Sequence, residues 1–407
     1  MNVKFSTKFV AASAAAVMAL SLAGCSGGSW MIPPAPVPSS GDSITIGTVT
    51  TNSGTAAAYG EAEVKGFELA VSEINAKGGI NGKKVKLESM DDKGDATEAS
   101  NAYNKLAGDN NVLAVAGPTI SATTAAVAPL ADQSKLVTIA PAATSDSIET
   151  GNYLFRTCFK DSYQGEVAAR FAAENLKVKK VAVLYGTGDP YSSGVGEAFA
   201  KRRKARPRSG GQGKLLLRRR HRVLRPAAED PGFRRRAALR SVLLLRGWPV
   251  HHPAGPLRGF RGYVMGPDGY DGLKLTGDKS QYNKTYYTTH YSADDNTNTK
   301  VQDFIKSYKS KNNAEPNTFA ALGYDTIYMI KQAIEKAGEN ATREDVRNAV
   351  AGMTFDGVTG KFTMDKSGSP TKSVTVLEMK DGKPVYNTTV QPSEFHEFPP
   401  HNHDVLA

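Results

Sequence analysis

From Ser43 onward the hydrophobic positions fall into short blocks whose period switches back and forth. Ile44 and Ile46, with the run to Val49, read as a strand. Val64, Phe67, Val71 and Ile74 then recur at three- and four-residue steps, which places them on one helical face, and Gly78-Gly79 ends that helix. The same reasoning predicts a strand at 85–90, a helix at 96–107, a strand at 112–116, a helix at 122–134 and a strand at 136–140. The rhythm restarts after residue 160, with a helix at 165–176, a strand at 180–185 and a helix at 193–200. Strands that alternate with helices imply a parallel sheet covered on both faces. Two such runs imply two similar α/β lobes, and solutes bind such sheets beyond the carboxyl ends of the strands.

Those strand ends are polar and rich in small residues. Gly117-Pro118-Thr119-Ile120-Ser121 follows one strand, Pro141-Ala142-Ala143-Thr144-Ser145 the next, and Gly186-Thr187-Gly188-Asp189-Pro190-Tyr191 a third. Hydroxyls and free N–H groups at helix starts suit a carboxylate. Ser121 and Thr144 could equally be helix caps, which such loops need in any case. The pattern alone leaves both readings open.

The first 42 residues differ in kind. Lys4 and Lys8 precede a largely apolar run, Phe9 to Ala23, which is too short to span a bilayer and has the layout of a secretory signal. Leu22-Ala23-Gly24-Cys25 is a lipobox pattern, so Cys25 is expected to carry the lipid. Two acyl chains anchor stably where one is marginal. Residues 26–42, rich in Ser, Gly and Pro, read as a tether. With only Cys25 and Cys158 present, no disulfide framework is possible.

Several separate motifs carry a family resemblance. They include Ala57-Ala58-Tyr59-Gly60, the run Glu73 to Gly82, Asp91 to Asp95, Pro141 to Thr144, Phe155 to Phe159 and Gln164 to Ala169. Met265 to Gly272 and Phe355 to Gly360 continue the series. In this order they resemble the leucine/isoleucine/valine-binding proteins, the substrate-binding components of branched-chain amino acid ABC transporters. The resemblance covers roughly 43–200 and 263–390. It implies an α/β, two-lobed periplasmic-binding-protein clamshell, each lobe a parallel sheet with helices on both faces, joined by three hinge crossovers. It places lobe 1 at 43–160 plus 292–360 and lobe 2 at 161–291 plus 361–390, after a signal peptide at 1–24 and a lipid-anchored linker at 25–42, with a disordered tail at 391–407. The implied ligand is a neutral aliphatic amino acid, and the implied partners are an ABC-transporter permease and the membrane that holds Cys25. Each charge of such a buried zwitterion needs dedicated partners. Ser121 and Thr144 resemble the carboxylate-binding hydroxyls, and the Ala142 carbonyl an acceptor for the ammonium. Tyr59 and Tyr191 resemble pocket aromatics of the first and second lobes. Asp268 resembles the acidic partner of the ammonium, although Asp before Gly269 is also ordinary turn chemistry.

Catalytic readings fare poorly. Of seven histidines only His290 falls in the regular body, and no Ser-His-Asp set can be placed. The nearest phosphate-loop candidate, Gly272 to Ser280, lacks a Lys directly after Gly277, and Gly186 to Tyr191 lacks the third glycine of a dinucleotide fingerprint. Cys158 reads as a buried structural thiol. His401-Asn402-His403 reads as terminal tail rather than as a metal site. The expectation is a binding protein without cofactor, metal or catalytic residues.

Charge changes the picture in one place. The formal net charge is +11, yet residues 201–262 hold sixteen arginines and three lysines against Glu229 and Asp230. The rest of the chain is net negative, so the global charge says nothing about a nucleic-acid partner, and none is expected. The block could be a polyanion-binding patch, a solvated loop or a shifted reading frame. Sliding the frame by one nucleotide lets Arg218 to Ala227 read Asp-Asp-Asp-Thr-Glu-Phe-Ser-Ala-Gln-Leu, and Leu244 to Gly247 read Tyr-Tyr-Glu-Asp. The ordered series of such words resembles the family and favours the frameshift reading. The expectation is therefore a disrupted second lobe. Residues 201–262 should be irregular and should not supply its parallel strands, although 215–217 and 242–245 could form short pieces.

Overall fold

The computed structural model describes residues 43–148, 152–178, 181–185, 188–204, 216–218, 241–244, 262–272, 275, 278–295 and 298–392. The expected signal, the expected lipid site at Cys25, the expected tether, nearly all of the expected tail and most of the arginine block lie outside these residues.

The first sheet has the order β2-β1-β3-β4-β5, built from β1 (Ser43–Thr50), β2 (Lys84–Asp91), β3 (Val112–Ala116), β4 (Val137–Ala140) and β5 (Leu154–Arg156). Every pairing is parallel. β3 and β4 are buried at every position, as central strands with both faces covered must be. Helices α1 (Ala57–Ala76), α2 (Ala96–Gly108) and α3 (Ser121–Ser134) link successive strands. Ile46, Phe67, Ile74, Leu106, Val115 and Ile139 form one core with Ile330 and Ile334, which arrive from much later in the chain. Asp95 starts α2 by accepting from the N–H groups of Thr97 and Glu98, so two of its orphan donors are satisfied.

The second sheet has the order β15-β14-β10-β9-β8-β6-β7. Its members are β6 (Val181–Leu184), β7 (Leu216–Arg218), β8 (Ser241–Leu244), β9 (Tyr263–Gly266), β10 (Thr285–Thr289), β14 (Val374–Lys380) and β15 (Lys383–Val390). Helices α4 (Asp161–Glu174) and α5 (Pro190–Lys204) belong to this lobe, where Val167, Phe171 and Phe199 share a core with Val183 and Met265. Two expectations are corrected here. The short pieces allowed at 215–217 and 242–245 are β7 and β8, and against expectation they pair in parallel: both flank β6, and β8 pairs on to β9. The apolar runs around Leu216 and Leu243 are just long enough to pair, and pairing satisfies backbone groups that would otherwise be left open. The sheet is also not wholly parallel. β14 runs antiparallel to β10 and to β15, and its hairpin closes through Asp381 (φ 50°) and Gly382 (φ 78°). Two successive positive φ values make the tight turn that an Asp-Gly pair favours.

Between the lobes the chain crosses three times. It leaves β5 for α4, leaves β10 for α6 (Thr299–Asn312) and α7 (Thr318–Ala337), and returns to β14. Before that return, α8 (Arg343–Val350) and a small antiparallel sheet of β11 (Thr354–Gly357), β12 (Gly360–Met364) and β13 (Pro370–Thr371) lie on the first lobe. Phe362 and Met364 belong to the first core, so the final crossing follows β12. There Lys372 is buried, and its Nζ donates to Thr359 Oγ1 at 2.6 Å and to the Thr157 carbonyl at 3.4 Å. The Thr359 hydroxyl in turn donates to Asp325 at 2.6 Å. Burial pulls the Lys372 ammonium down to about 8, against the pull of Asp325 in the other direction.

Candidate ligand-binding site

Parallel strands deliver their following loops to one edge of a sheet. Here the edges of both sheets meet. From the first lobe come the α1 start after β1, the loop after β3 and the loop 141–148 after β4. The second lobe contributes the α5 start, the turn after β9 and the residues after β10.

Tyr59, on the first turn of α1, stacks on Phe319 with ring centroids 4.3 Å apart and an interplanar angle of 19°. Its hydroxyl crosses to the second lobe and donates to the Gly269 carbonyl at 3.0 Å. Tyr191 lies on the first turn of α5; its hydroxyl donates to Asp268 Oδ1 at 2.7 Å and accepts from the Gly269 N–H at 3.0 Å. A Cβ at 269 would stand 3.0 Å from the Tyr191 hydroxyl and 3.2 Å from that of Tyr59, so both would have to give by a few tenths of an ångström, which favours glycine there. Three of the residues expected from sequence, Tyr59, Tyr191 and Asp268, are thus gathered on one turn.

Ser121 and the loop that carries Thr144 are brought together in the first lobe. The Ser121 hydroxyl accepts from the Ser145 N–H at 3.2 Å. Neither residue caps a helix: the N-cap of α3 is Ile120 and that of α4 is Lys160, and neither makes a side-chain cap bond. Thr144 is fully buried and its hydroxyl lies beside Asp161, yet it makes no hydrogen bond of good geometry. Ala142 is half-buried in the same loop and packs against the cluster that contains Phe319.

Three further residues complete the site. Gln164 Nε2 donates to Asp161 Oδ1 at 2.8 Å and to Asp268 Oδ1 at 3.1 Å, while its Oε1 accepts from the Asp268 N–H and the Thr288 hydroxyl. His290 stacks on Phe159 at 3.7 Å and places Nε2 3.4 Å from Asp268 Oδ2. Burial pushes His290 down to about 4 although Asp268 pulls it up, so the ring is neutral at pH 7. Burial, reinforced by the negative charge of Asp268, raises the Asp161 carboxyl well above its usual range, and the neighbouring Thr144 hydroxyl and the hydrogen bond from Gln164 oppose this. Neither Asp161 nor Asp268 pairs with a lysine or arginine among the described residues. The sequence reading missed Asp161 and Gln164 as site residues and set His290 aside for want of catalytic partners. Gln164 was visible in its motif, but its role is fixed by contacts more than a hundred residues away.

The arrangement suits a small solute with a cationic group near Asp268 and an acceptor-bearing group near Thr144. Cys158 is buried, its thiol pushed up to about 12 by desolvation.

Comparison with known proteins agrees with this geometry. The family described as periplasmic binding protein matches residues 43–214 and 257–384, and the break between the two stretches falls inside the arginine block. The Leu/Ile/Val-binding protein BraC3 of Rhizobium johnstonii is 30% identical over 362 residues, 84% of this chain and 92% of that protein. The branched-chain amino acid transporter substrate-binding protein LivJ of Streptococcus pneumoniae, solved with isoleucine, superposes with a TM-score of 0.76 at 28% identity. The leucine-binding protein LivK of Thermotoga maritima does so equally well, and each comparison covers 86% of this chain and all of the other. The chain belongs to the periplasmic binding protein family.

Proposed function

We propose that this protein is the extracytoplasmic receptor of an ABC importer, and that it captures a neutral branched-chain amino acid rather than transforming it. The observation that carries the reading is the pair of unmatched poles in the cleft. Among the described residues Asp268 is buried with only a neutral histidine for an ion partner, and the Thr144 hydroxyl is buried without a hydrogen bond of good geometry. A zwitterion supplies the missing ammonium to the first and the missing carboxylate to the second. Ser121, the Ala142 carbonyl, Tyr59 and Tyr191 complete the contacts, with the stacked pair Tyr59–Phe319 on the side-chain pocket. The names of the relatives point to the same ligand class. Calorimetry with leucine, isoleucine and valine tests the reading. Asp268→Asn should weaken binding about 100-fold, in keeping with the ~2–5 kcal/mol cost of breaking a buried charge pair. Failure of all three to bind, while an unrelated solute binds, sinks it.

Lipid attachment at Cys25 holds the receptor beside its permease. Cys25→Ala should leave the protein unprocessed or release it from the detergent phase, and unchanged partitioning would count against the anchor. The interruption of the family match between 214 and 257 supports a shifted reading frame in the arginine block, which resequencing codons 200–262 decides.

A further inference from the structure

Arg156 ends β5 and heads the largest fully buried side chains among the described residues, at 1% exposure. No described carboxylate pairs with it. Its guanidinium is fastened instead to three backbone carbonyls of one loop. Nη1 donates to Ala143 O at 3.0 Å and to Ser145 O at 2.9 Å, and Nη2 donates to Ile148 O at 3.2 Å. Nε has no partner. That loop is the one that carries Ala142, Thr144 and Ser145.

Two consequences follow from elementary physics. In a planar trans peptide the carbonyl and the next N–H point in opposite directions. Holding the Ala143 carbonyl on the guanidinium therefore turns the Thr144 N–H away from Arg156, and that N–H meets no acceptor among the described residues. Thr144 thus presents an open amide as well as an open hydroxyl. The second consequence is electrostatic. A guanidinium stays charged at any working pH, and three carbonyl dipoles without a counter-ion compensate its burial only in part. An anion arriving on the far side of the loop lowers that cost.

We propose that Arg156 is a positioning residue for the carboxylate end of the cleft. It presets the Thr144 donors, and its unbalanced charge makes the site prefer a carboxylate to a neutral group of the same shape. The inference rests on the amino-acid reading of the cleft, with the ligand carboxylate at Thr144. A purely architectural Arg156 would hold the loop without distinguishing one ligand from another.

The test compares the full chain with Arg156→Lys and Arg156→Met, titrating each with leucine and with leucinamide, which differ in the charge at that end. Arg156→Met should lose leucine affinity about 30- to 100-fold and leucinamide affinity only a few-fold, so that the preference for the carboxylate falls at least tenfold. Arg156→Lys keeps the charge but cannot span three carbonyls; it should lose a few-fold with both ligands and keep the preference. Equal losses with both ligands in Arg156→Met would overturn the inference. If circular dichroism shows that Arg156→Met does not fold, Arg156→Lys decides alone, and loss of its preference overturns the proposal. Should the parent ignore leucine and leucinamide but bind benzoate, the amino-acid reading fails while the Arg156 inference is read out on benzoate against benzamide. A parent that favours the amide over the acid would overturn the inference itself.

Discussion

The two sheets use the same βα unit with unequal material. In the first, β1 and β2 pair over eight positions, and β3 and β4 are runs of small and β-branched residues buried throughout. At one end of the second, β8 and β6 have four residues each and the edge strand β7 three. Arg219 and Arg220 follow β7, and Arg240 and Arg246 flank β8. The second sheet gains width from an antiparallel hairpin instead. A place near the edge of a sheet can be taken by a short apolar run long enough to pair. Pattern and family resemblance specify the first lobe, whereas local opportunity specifies that end of the second.

The largest effect that could break this contrast is in the cores. Phe67 and Phe199 are both fully buried, one in each lobe. Phe67→Ala should cost about 3–5 kcal/mol, the usual range for deleting a buried phenyl group. Phe199→Ala should cost less, about 2–3 kcal/mol, because the core around Phe199 is smaller and can collapse further into the cavity. Chemical denaturation followed lobe by lobe with hydrogen exchange measures both, and equal costs would mean that the lobes are packed alike.

An effect of similar size lies where the lobes meet. His290 has its folded value depressed from 6.5 to about 4, so between those values the unfolded chain binds the proton and the folded chain does not. Stability should therefore rise with pH across that window, by about 3 kcal/mol from this group. The raised Asp161 carboxyl works in the opposite sense as pH climbs above its unfolded value, so the parent curve is a sum. Asp268 and Lys372 are the charged groups that act on the ring. His290→Gln isolates the histidine: its difference curve against the parent should carry the whole 4–6.5 slope, and a flat difference would show that the ring is not buried as described.

The smallest effect sharpens the comparison at a single bond. Tyr59→Phe removes the donation to Gly269 that joins the lobes, worth about 0.5–1.5 kcal/mol. Ligand affinity should fall two- to tenfold while the stability of each lobe is unchanged. A titration in which affinity does not move would place that bond outside the closed state.

Much of the first lobe was legible because its strands are continuous apolar runs and its helices punctuated ones. The predicted strand at 112–116 is β3, and the helix predicted at 96–107 is α2 to within a residue. Helix α1 begins seven residues before the first periodic position, Val64, since Ala57 to Gly60 carries no apolar period. Its close packing depends on small residues: at Gly66 a Cβ would stand 2.2 Å from the Ala320 carbonyl oxygen. The hairpin at Asp381-Gly382 was readable from its turn pair and was passed over. In the site, Tyr59, Thr144 and Asp268 were legible through motifs with hydroxyl, carboxyl or aromatic chemistry. Gln164, Asp161 and His290 were not, because their parts are set by partners that only the folded chain brings near. The pieces that form β7 and β8 were anticipated at 215–217 and 242–245, but their parallel pairing was not. Net charge dominated the reading of their surroundings, while two apolar residues in β7 and three in β8 sufficed to pair.

Lys372 carries a mechanical consequence. Its ammonium ties the third crossing to oxygens of the first lobe: one donation reaches the Thr157 carbonyl just after β5, the other the Thr359 hydroxyl in the turn between β11 and β12. A buried cation stripped of either acceptor is costly. The lysine thus clamps the third crossing at the point where it leaves the first lobe.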